Sequence, residues 1–260
     1  MSLAATADDA PAAPGARLRP SRDIGRPGEL RPDFSEILRL VRPGARVLDV
    51  GCGEGALLEL LVAQKGCDGR GLEISAEGVA ACLARGLAVV QGDADRDLKA
   101  YPSHAFDYAI LSQTLQATVA PREVLIELLR IADRAIVSFP NFGHWRMRMS
   151  LLTRGRMPET PALPHQWWST PNIHMCTLRD FTILCHELDL RIESCAALTT
   201  GKPPRVIDPE RAVENWRAES ALFLLSRRNG HRRGQGSPPA TQARTGDLFG
   251  SDQVSADGRP

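Results

Sequence analysis

Three things are scarce in this 260-residue chain. No apolar run reaches the roughly 18 residues that a membrane-spanning helix needs, and residues 1–28 lack the charged-then-apolar layout of a signal peptide. Charge of one sign is missing too. The 32 basic and 31 acidic side chains leave a formal net charge of +1, and no block of like charge forms an arm, so a broad basic face for nucleic acid is not expected. Ligand clusters are absent as well. The six cysteines (Cys52, Cys67, Cys82, Cys176, Cys185 and Cys195) contain no Cys-x-x-Cys pair, and His144, His165 and His174 lack metal-ligand spacing, which argues against a zinc site. Most of the cysteines fall in apolar, periodic segments, where Cys acts as a small buried hydrophobe. The expectation is a reduced, cytoplasmic protein without metal, membrane or nucleic-acid partner.

Both ends are poor in large apolar residues. Residues 1–28 are mostly Ala, Pro, Gly and Asp, and residues 228–260 are mostly Gly, Ser, Gln, Arg and Pro. Neither stretch can bury enough apolar surface to offset its ordering entropy, so both are expected to be disordered tails. Residues 29–227 contain no internal repeat and read as one domain of about 200 residues.

Within that domain, Phe34, Ile37, Leu38 and Val41 recur at helical spacing up to Pro43-Gly44. The stretch Arg46 to Val50 is short, apolar and β-branched, and predicts a buried strand. A glycine turn, Gly51 to Gly55, and a helical pattern, Ala56 to Gln64, follow it. Strand, glycine turn and helix open a nucleotide-binding βαβ unit. The alternation continues with strands at Gly69–Ile74, Leu87–Gln91, Phe106–Leu111 and Arg134–Phe139, and helices at Ala76–Arg85 and Pro121–Arg130. This pattern predicts an α/β fold with a mainly parallel sheet covered on both faces. Residues 140–177 read as an irregular insert. A helix at Leu178–Glu187 comes next, then strands at Leu190–Ala196 and Ser220–Ser226 that could form an antiparallel, hairpin-like edge.

The glycines of Asp49-Val50-Gly51-Cys52-Gly53-Glu54-Gly55 are spaced G-x-G-x-G, whereas the dinucleotide fingerprint is G-x-G-x-x-G. Ala56 satisfies the relaxed form of that fingerprint, so glycine spacing alone does not decide the ligand. Asp49 does. A carboxylate at a strand tip repels a pyrophosphate and attracts an ammonium group. S-Adenosylmethionine carries an ammonium and no phosphate. Glu73 ends the second strand, 24 residues after Asp49, where an acid can accept both ribose hydroxyls. Asp93 follows the third strand, placed for the adenine amino group. The expected cofactor contacts are Asp49, Gly51, Cys52, Gly53 and Gly55 of the first turn, Glu73 and Ile74, Asp93 and Ala94, and Ser112 after the fourth strand. Any one of these acids could instead be a helix cap or a loop residue; the spaced set with the glycine turn is what points to a cofactor. No base is obligatory for displacement at a sulfonium, and no catalytic residue is assigned.

The insert holds Trp145, Trp167 and Trp168, three of the four tryptophans, together with Arg146, Arg148, Arg154 and Arg156. Such a segment can act as a lid over the pocket or present anchors to another protein. Its tryptophans can equally serve only to pack it onto the sheet.

Four blocks carry a family resemblance: Arg46 to Gly55, Phe106 to Gln116, Val137 to Arg146 and Thr170 to Thr177. The first is common to many class I methyltransferases. The third and fourth are more specific, and across about Leu30 to Arg227 the chain resembles the methionine biosynthesis protein family MetW. The resemblance implies a Rossmann-like class I methyltransferase fold: a three-layer αβα arrangement around a seven-stranded, mostly parallel sheet with an antiparallel last strand. It also implies a role beside the homoserine O-acyltransferase MetX. Where the family pattern has Tyr followed by Asp or Asn before the fourth block, this chain has Trp168-Ser169, and no role for that pair carries over.

Two functions are therefore expected to compete. One is a partner protein that binds S-adenosylmethionine or S-adenosylhomocysteine and docks on MetX through its aromatic insert. The other is an active methyltransferase for a small acceptor, with the insert as lid and Arg146 or Arg148 holding an anionic group. Trp145, Arg146, Trp168 and His174 are the expected partner or substrate surface.

Overall fold

The computed structural model describes residues 31–160, 163, 165–170 and 172–228. The tails at 1–28 and 228–260 lie outside the described residues, apart from Arg228 in a closing turn. The described chain opens with α1 (Pro32–Leu40), whose first-turn proline has no N–H to leave unpaired. In chain order there follow β1 (Arg46–Val50), α2 (Ala56–Lys65), β2 (Asp68–Glu73), α3 (Ala76–Ala84), β3 (Ala88–Gln91) and the single turn α4 (Ala94–Asp97). The next elements are β4 (Phe106–Ser112), α5 (Pro121–Ile131), β5 (Ala132–Pro140), α6 (Trp145–Arg154) and α7 (Leu178–Glu187). The chain closes with β6 (Leu190–Leu198), β7 (Arg205–Val206), α8 (Ala212–Arg217) and β8 (Ser220–Arg227).

The strands form one sheet in the order β3-β2-β1-β4-β5-β8-β6-β7. The first five are parallel, and β8 runs antiparallel to both β5 and β6. The chain thus moves outward from β1 to β3 and then returns to β4 on the other side of β1. That reversal leaves a crevice at the carboxyl ends of β1 and β4, the switch point where ligands of open α/β sheets bind.

Successive residues of β4 feed opposite faces. Tyr108 and Ile110 join Phe34, Ile37, Leu57 and Leu61 of α1 and α2, whereas Ala109 and Leu111 join Leu125, Leu128 and Leu129 of α5. On the α5 side, Phe139, Phe181 and Phe223 bring β5, α7 and β8 together, with ring centroids 4.7 to 5.7 Å apart. Two buried faces with a sheet between them make three layers.

Three sequence expectations change. The sheet has eight strands where seven were expected, because Arg205–Val206 adds a two-residue antiparallel rung to the outer edge of β6. The strands β6 and β8 do pair antiparallel, but β8 lies inside the sheet, against β5; its apolar Ala221–Leu225 run suits burial on both faces better than an edge. Finally, the insert is not irregular throughout: it contains the ten-residue helix α6, ended by Gly155 in the left-handed conformation.

Candidate functional site

A cavity of about 350 Å³ opens at the switch point, within the size range of small-molecule sites. Its walls come from the β1 turn (Asp49, Gly51, Cys52, Gly53, Glu54), from Glu73 and Ser75 after β2, from Ser112, Gln113 and Thr114 after β4, and from Arg31 and Phe34 at the start of α1. Glu77 and Gly78 of α3 complete one side.

Backbone conformation shapes the turn. Gly51 has φ +73°, and a Cβ there would lie 2.6 Å from the Thr114 methyl. Gly53 has φ +57°, and a Cβ there would meet no protein atom within 4 Å. Gly51 thus permits close packing of the turn on the β4 loop, while Gly53 leaves room beside the cavity.

Four of the turn's amides are already committed. Gly51 N–H and Cys52 N–H donate to Leu72 O, Gly55 N–H donates to Cys52 O, and Gly53 N–H donates to Glu73 Oε2 at 2.8 Å. Amides of this kind cradle the pyrophosphate in dinucleotide-binding folds. Here the protein's own carboxylate takes the Gly53 amide. Glu73 Oε1 accepts from Ser75 N–H at 2.8 Å, so a side chain only 1% exposed has a donor on each oxygen. Each carboxylate oxygen keeps further acceptor capacity.

Asp49 is 2% exposed. Burial drives its carboxyl up to about 7, with the Arg31 guanidinium pulling it down and Glu73 and Asp33 pushing it further up. Arg31 is held in place by several contacts. Its Nε donates to Asp33 Oδ1 at 3.1 Å and its Nη2 to Ser112 Oγ at 3.0 Å, while the guanidinium lies 4.5 Å from the Phe34 ring centroid. Ser112 Oγ and Ser138 Oγ donate to Asp33 Oδ2 at 2.6 and 3.2 Å. The result is an anchored cation beside a buried carboxyl, an arrangement that suits the two ends of an amino-acid zwitterion.

Of the residues expected from sequence, Asp49, Gly51, Cys52, Gly53, Glu73 and Ser112 come together at this cavity. Gly55, Ile74, Asp93 and Ala94 are not among its walls. Gly55 sits at the N-terminus of α2. Asp93 is the N-cap of α4, its Oδ1 accepting from Asp95 N–H at 3.0 Å. In the sheet register Glu73 faces Gln91, so Asp93 lies just beyond Glu73 along the next strand. Sequence reasoning missed Arg31, Asp33, Glu77 and Gly78. The Arg-Pro-Asp run before a helical pattern was the only local hint of the first two.

The insert contributes no wall to this cavity. It is tied to the rim instead. Asn141 is fully buried; its Nδ2 donates to Asn215 O and Ala218 O, and its Oδ1 accepts from Gly143 N–H and Leu178 N–H. Ile173 N–H and His174 N–H donate to Gln116 O, on the loop that begins with Gln113. Trp145 and Trp168 stay exposed, at 42% and 62%. Arg146 lies over the Trp145 ring and 3.8 Å from Glu219.

The profile of the family described as "Methionine biosynthesis protein MetW" matches residues 31–225. The chain belongs to the MetW family. The bifunctional methionine biosynthesis protein MetXA/MetW of Rhodopirellula baltica is 33% identical over 209 residues, a match covering 77% of this chain and 33% of that protein. This chain therefore spans about a third of the length of that curated relative. Among solved structures, a SAM-dependent methyltransferase of Thermotoga maritima is similar with a TM-score of 0.54 at 14% identity, over 74% of this chain and 86% of that one. The cyclase SpnF is similar with a TM-score of 0.52 at 17% identity, over 75% and 80%. These likenesses give the MetW-family chain a class I methyltransferase fold. They do not give it a reaction, since a methyltransferase and a cyclase share the same scaffold. Among the described residues no helix is long and apolar enough to cross a membrane.

Proposed function

We propose that the cavity binds S-adenosylmethionine or S-adenosylhomocysteine, and that the protein serves methionine biosynthesis by supporting the homoserine O-acyltransferase MetX. The observation that carries the ligand reading is the charge of the walls. Among the described residues lining the cavity there are four carboxyl groups (Asp49, Glu54, Glu73 and Glu77) and one guanidinium, Arg31. Such a site disfavours phosphates and favours a cationic amino acid.

On this reading Asp49 receives the ligand's ammonium and Arg31 its carboxylate. Glu73 uses its remaining lone pairs for the ribose hydroxyls, and Cys52 and Gly53 line the passage between them. The adenine is assigned to Ile74, Asp93 and Ala94, next along the sheet. S-Adenosylmethionine supplies a sulfonium methyl open to in-line displacement. Arg31, held by Asp33 and Ser112, orients the amino-acid end without moving a proton.

The partner reading is supported by the relative that carries MetXA and MetW names in one chain. Linking two modules raises their mutual concentration to the millimolar range, and separate chains need a surface to replace the linker. The decisive experiment measures homoserine acylation by purified MetX with and without this protein, at zero and saturating S-adenosylmethionine. The expected result is a higher rate with the protein present, and a change in that rate or in complex affinity when S-adenosylmethionine is added. An unchanged acylation rate across all four conditions would remove the proposal.

The alternative is methyl transfer to a small acceptor, favoured by the polar Ser112, Gln113 and Thr114 at the cavity wall. Labelled cofactor with stoichiometric protein and cell metabolites tests it; absence of labelled product rejects it.

A further inference from the structure

Helix α6 keeps an apolar stripe of Trp145, Met149 and Leu152 in contact with water, and its first turn is as poorly satisfied as its side. The first N–H groups of a helix have no internal acceptor, and a side-chain cap or an acid in the first turn ordinarily compensates. Here neither is present. His144 holds the N-cap position without a side-chain cap bond, and no acidic residue occupies the first turn. Met147 N–H and Arg148 N–H donate to His144 O, which leaves the Trp145 and Arg146 amides without an acceptor among the described residues.

A second cavity, of about 270 Å³, opens at this end of the helix. It shares no wall with the Asp49 cavity. Pro140, Ser220 and Leu198 lie side by side where β5, β8 and β6 reach one end of the sheet, and the walls adjoin them. His144, Arg146 and Met147 come from the start of α6, Glu219 precedes β8, and Thr199, Thr200 and Lys202 form the turn after β6. His144 is 4% exposed, and beyond a tilted ring contact with Trp145 its imidazole has no partner among the described residues. A polar ring buried against a cavity and left unpaired costs free energy until something in the cavity completes it. Burial lowers the pKa of His144, with Glu219 pulling it up and Arg146 down, so at neutral pH the ring is uncharged and keeps one N–H to donate.

Charge sets the class of ligand. Arg146 Nη1 is 3.8 Å from Glu219 Oε1, and Thr200 N–H donates to Glu219 Oε2 at 3.3 Å. Lys202 has no acidic partner among the described residues. One unneutralised ammonium and the partial positive charge of a helix N-terminus suit a single negative charge. A dianion would also meet the Glu219 carboxylate. Buried Met147 adds an apolar wall. We propose that this cavity binds a small organic acid through its one carboxylate, held at the N-terminus of α6 by Lys202, the Trp145 and Arg146 amides and the His144 N–H, with its hydrocarbon part against Met147. The proposal is independent of the S-adenosylmethionine reading, because the two cavities have no residue in common.

The test uses the full chain and sodium butyrate, followed by amide NMR. Butyrate is expected to bind saturably and to shift the Trp145 and Arg146 amides most. Lys202→Gln, at an exposed turn position, should weaken binding about tenfold, the scale of one charge-assisted contact, without moving the melting temperature of the free protein. Lys99→Gln, at another exposed lysine, is the control and should bind butyrate like wild type. Arg31→Gln separates the two cavities and should leave butyrate binding unchanged. Loss of butyrate binding in Arg31→Gln would put the probe in the Asp49 cavity and overturn the proposal. Equal affinity in wild type and Lys202→Gln would overturn it too, as would the absence of saturable binding. Inorganic phosphate is the competing probe: if it binds at the same amides more tightly than butyrate, the carboxylate assignment is wrong.

Discussion

Glu73 ends β2 and Leu152 lies in α6, the helix after β5, and they meet opposite fates. Glu73 is 1% exposed, with a backbone donor on each oxygen; Leu152 is 79% exposed. Around the first glycine turn the protein withdraws charge from water and supplies it with internal partners, which a fold tolerates only where each partner is fixed. In the insert it leaves apolar surface in water, at a cost of about 25 cal/mol for each Å² that could have been buried. The first arrangement fits the proposed small polar ligand, whereas the second leaves apolar side chains in water; the insert meets the rim of the cavity where Ile173 N–H and His174 N–H donate to Gln116 O.

Substitutions in each region test this contrast. The largest effect is expected at the junction between the two regions. Asn141→Ala removes four hydrogen bonds from a fully buried site and should cost roughly 4 kcal/mol in urea unfolding; a loss below about 1 kcal/mol would mean that the insert is not held by this residue.

Next comes Asp49→Asn, expected to weaken S-adenosylmethionine binding by about 100-fold, the scale of a lost charge-assisted contact, as read by calorimetry. The same variant should stabilise the free protein above neutral pH. Burial raises the folded-state pKa of Asp49 to about 7, against about 3.9 when unfolded. Between those values the folded state holds a proton that the unfolded state has released, so this group's contribution to stability falls as pH rises from about 4 to 7, and its full penalty persists above that. Melting temperatures of wild type and Asp49→Asn should therefore coincide near pH 4 and separate by pH 8, with the variant higher. Curves that stay parallel would show that Asp49 is not titrating in this window.

A smaller loss, about 2 kcal/mol of stability, is expected for Glu73→Gln, because an amide offers only one acceptor where Gly53 N–H and Ser75 N–H need two. Denaturant midpoints decide it, and an unchanged midpoint would remove the carboxylate from the turn's support. The smallest effect belongs to the other region. Leu152→Ala should change stability by less than about 0.5 kcal/mol; a change above about 1.5 kcal/mol would show that the α6 stripe is packed in solution, and the contrast between the two regions would disappear.

The parts legible in the sequence were the parts whose physics is local. A β-branched run, a glycine turn and a helical pattern within 20 residues located Asp49, Gly51 and Gly53, and the same βαβ spacing put Glu73 at the end of β2. Local capping explains Asp93 as well: it is the N-cap that an isolated Asp before a helical turn commonly becomes. Arg31 and Asp33 were illegible because their partners lie far along the chain; Ser112 and Ser138 are 79 and 105 residues from Asp33. Helix α6 was missed because its apolar stripe is short and set among arginines. The Trp145, Met149 and Leu152 spacing with Gly155 as cap would have predicted it, though not the direction it faces.

Residue type and spacing along the chain are enough for the βαβ alternation, the acids at the strand ends and membership of a family. Only the packed fold sets β8 between β5 and β6, Arg31 beside Asp49, and Trp145, Met149 and Leu152 of α6 in contact with water. Those outcomes depend on which distant surfaces are brought together. Periodicity along a chain states how polar and apolar residues alternate, but only the packed fold settles which of them water can reach.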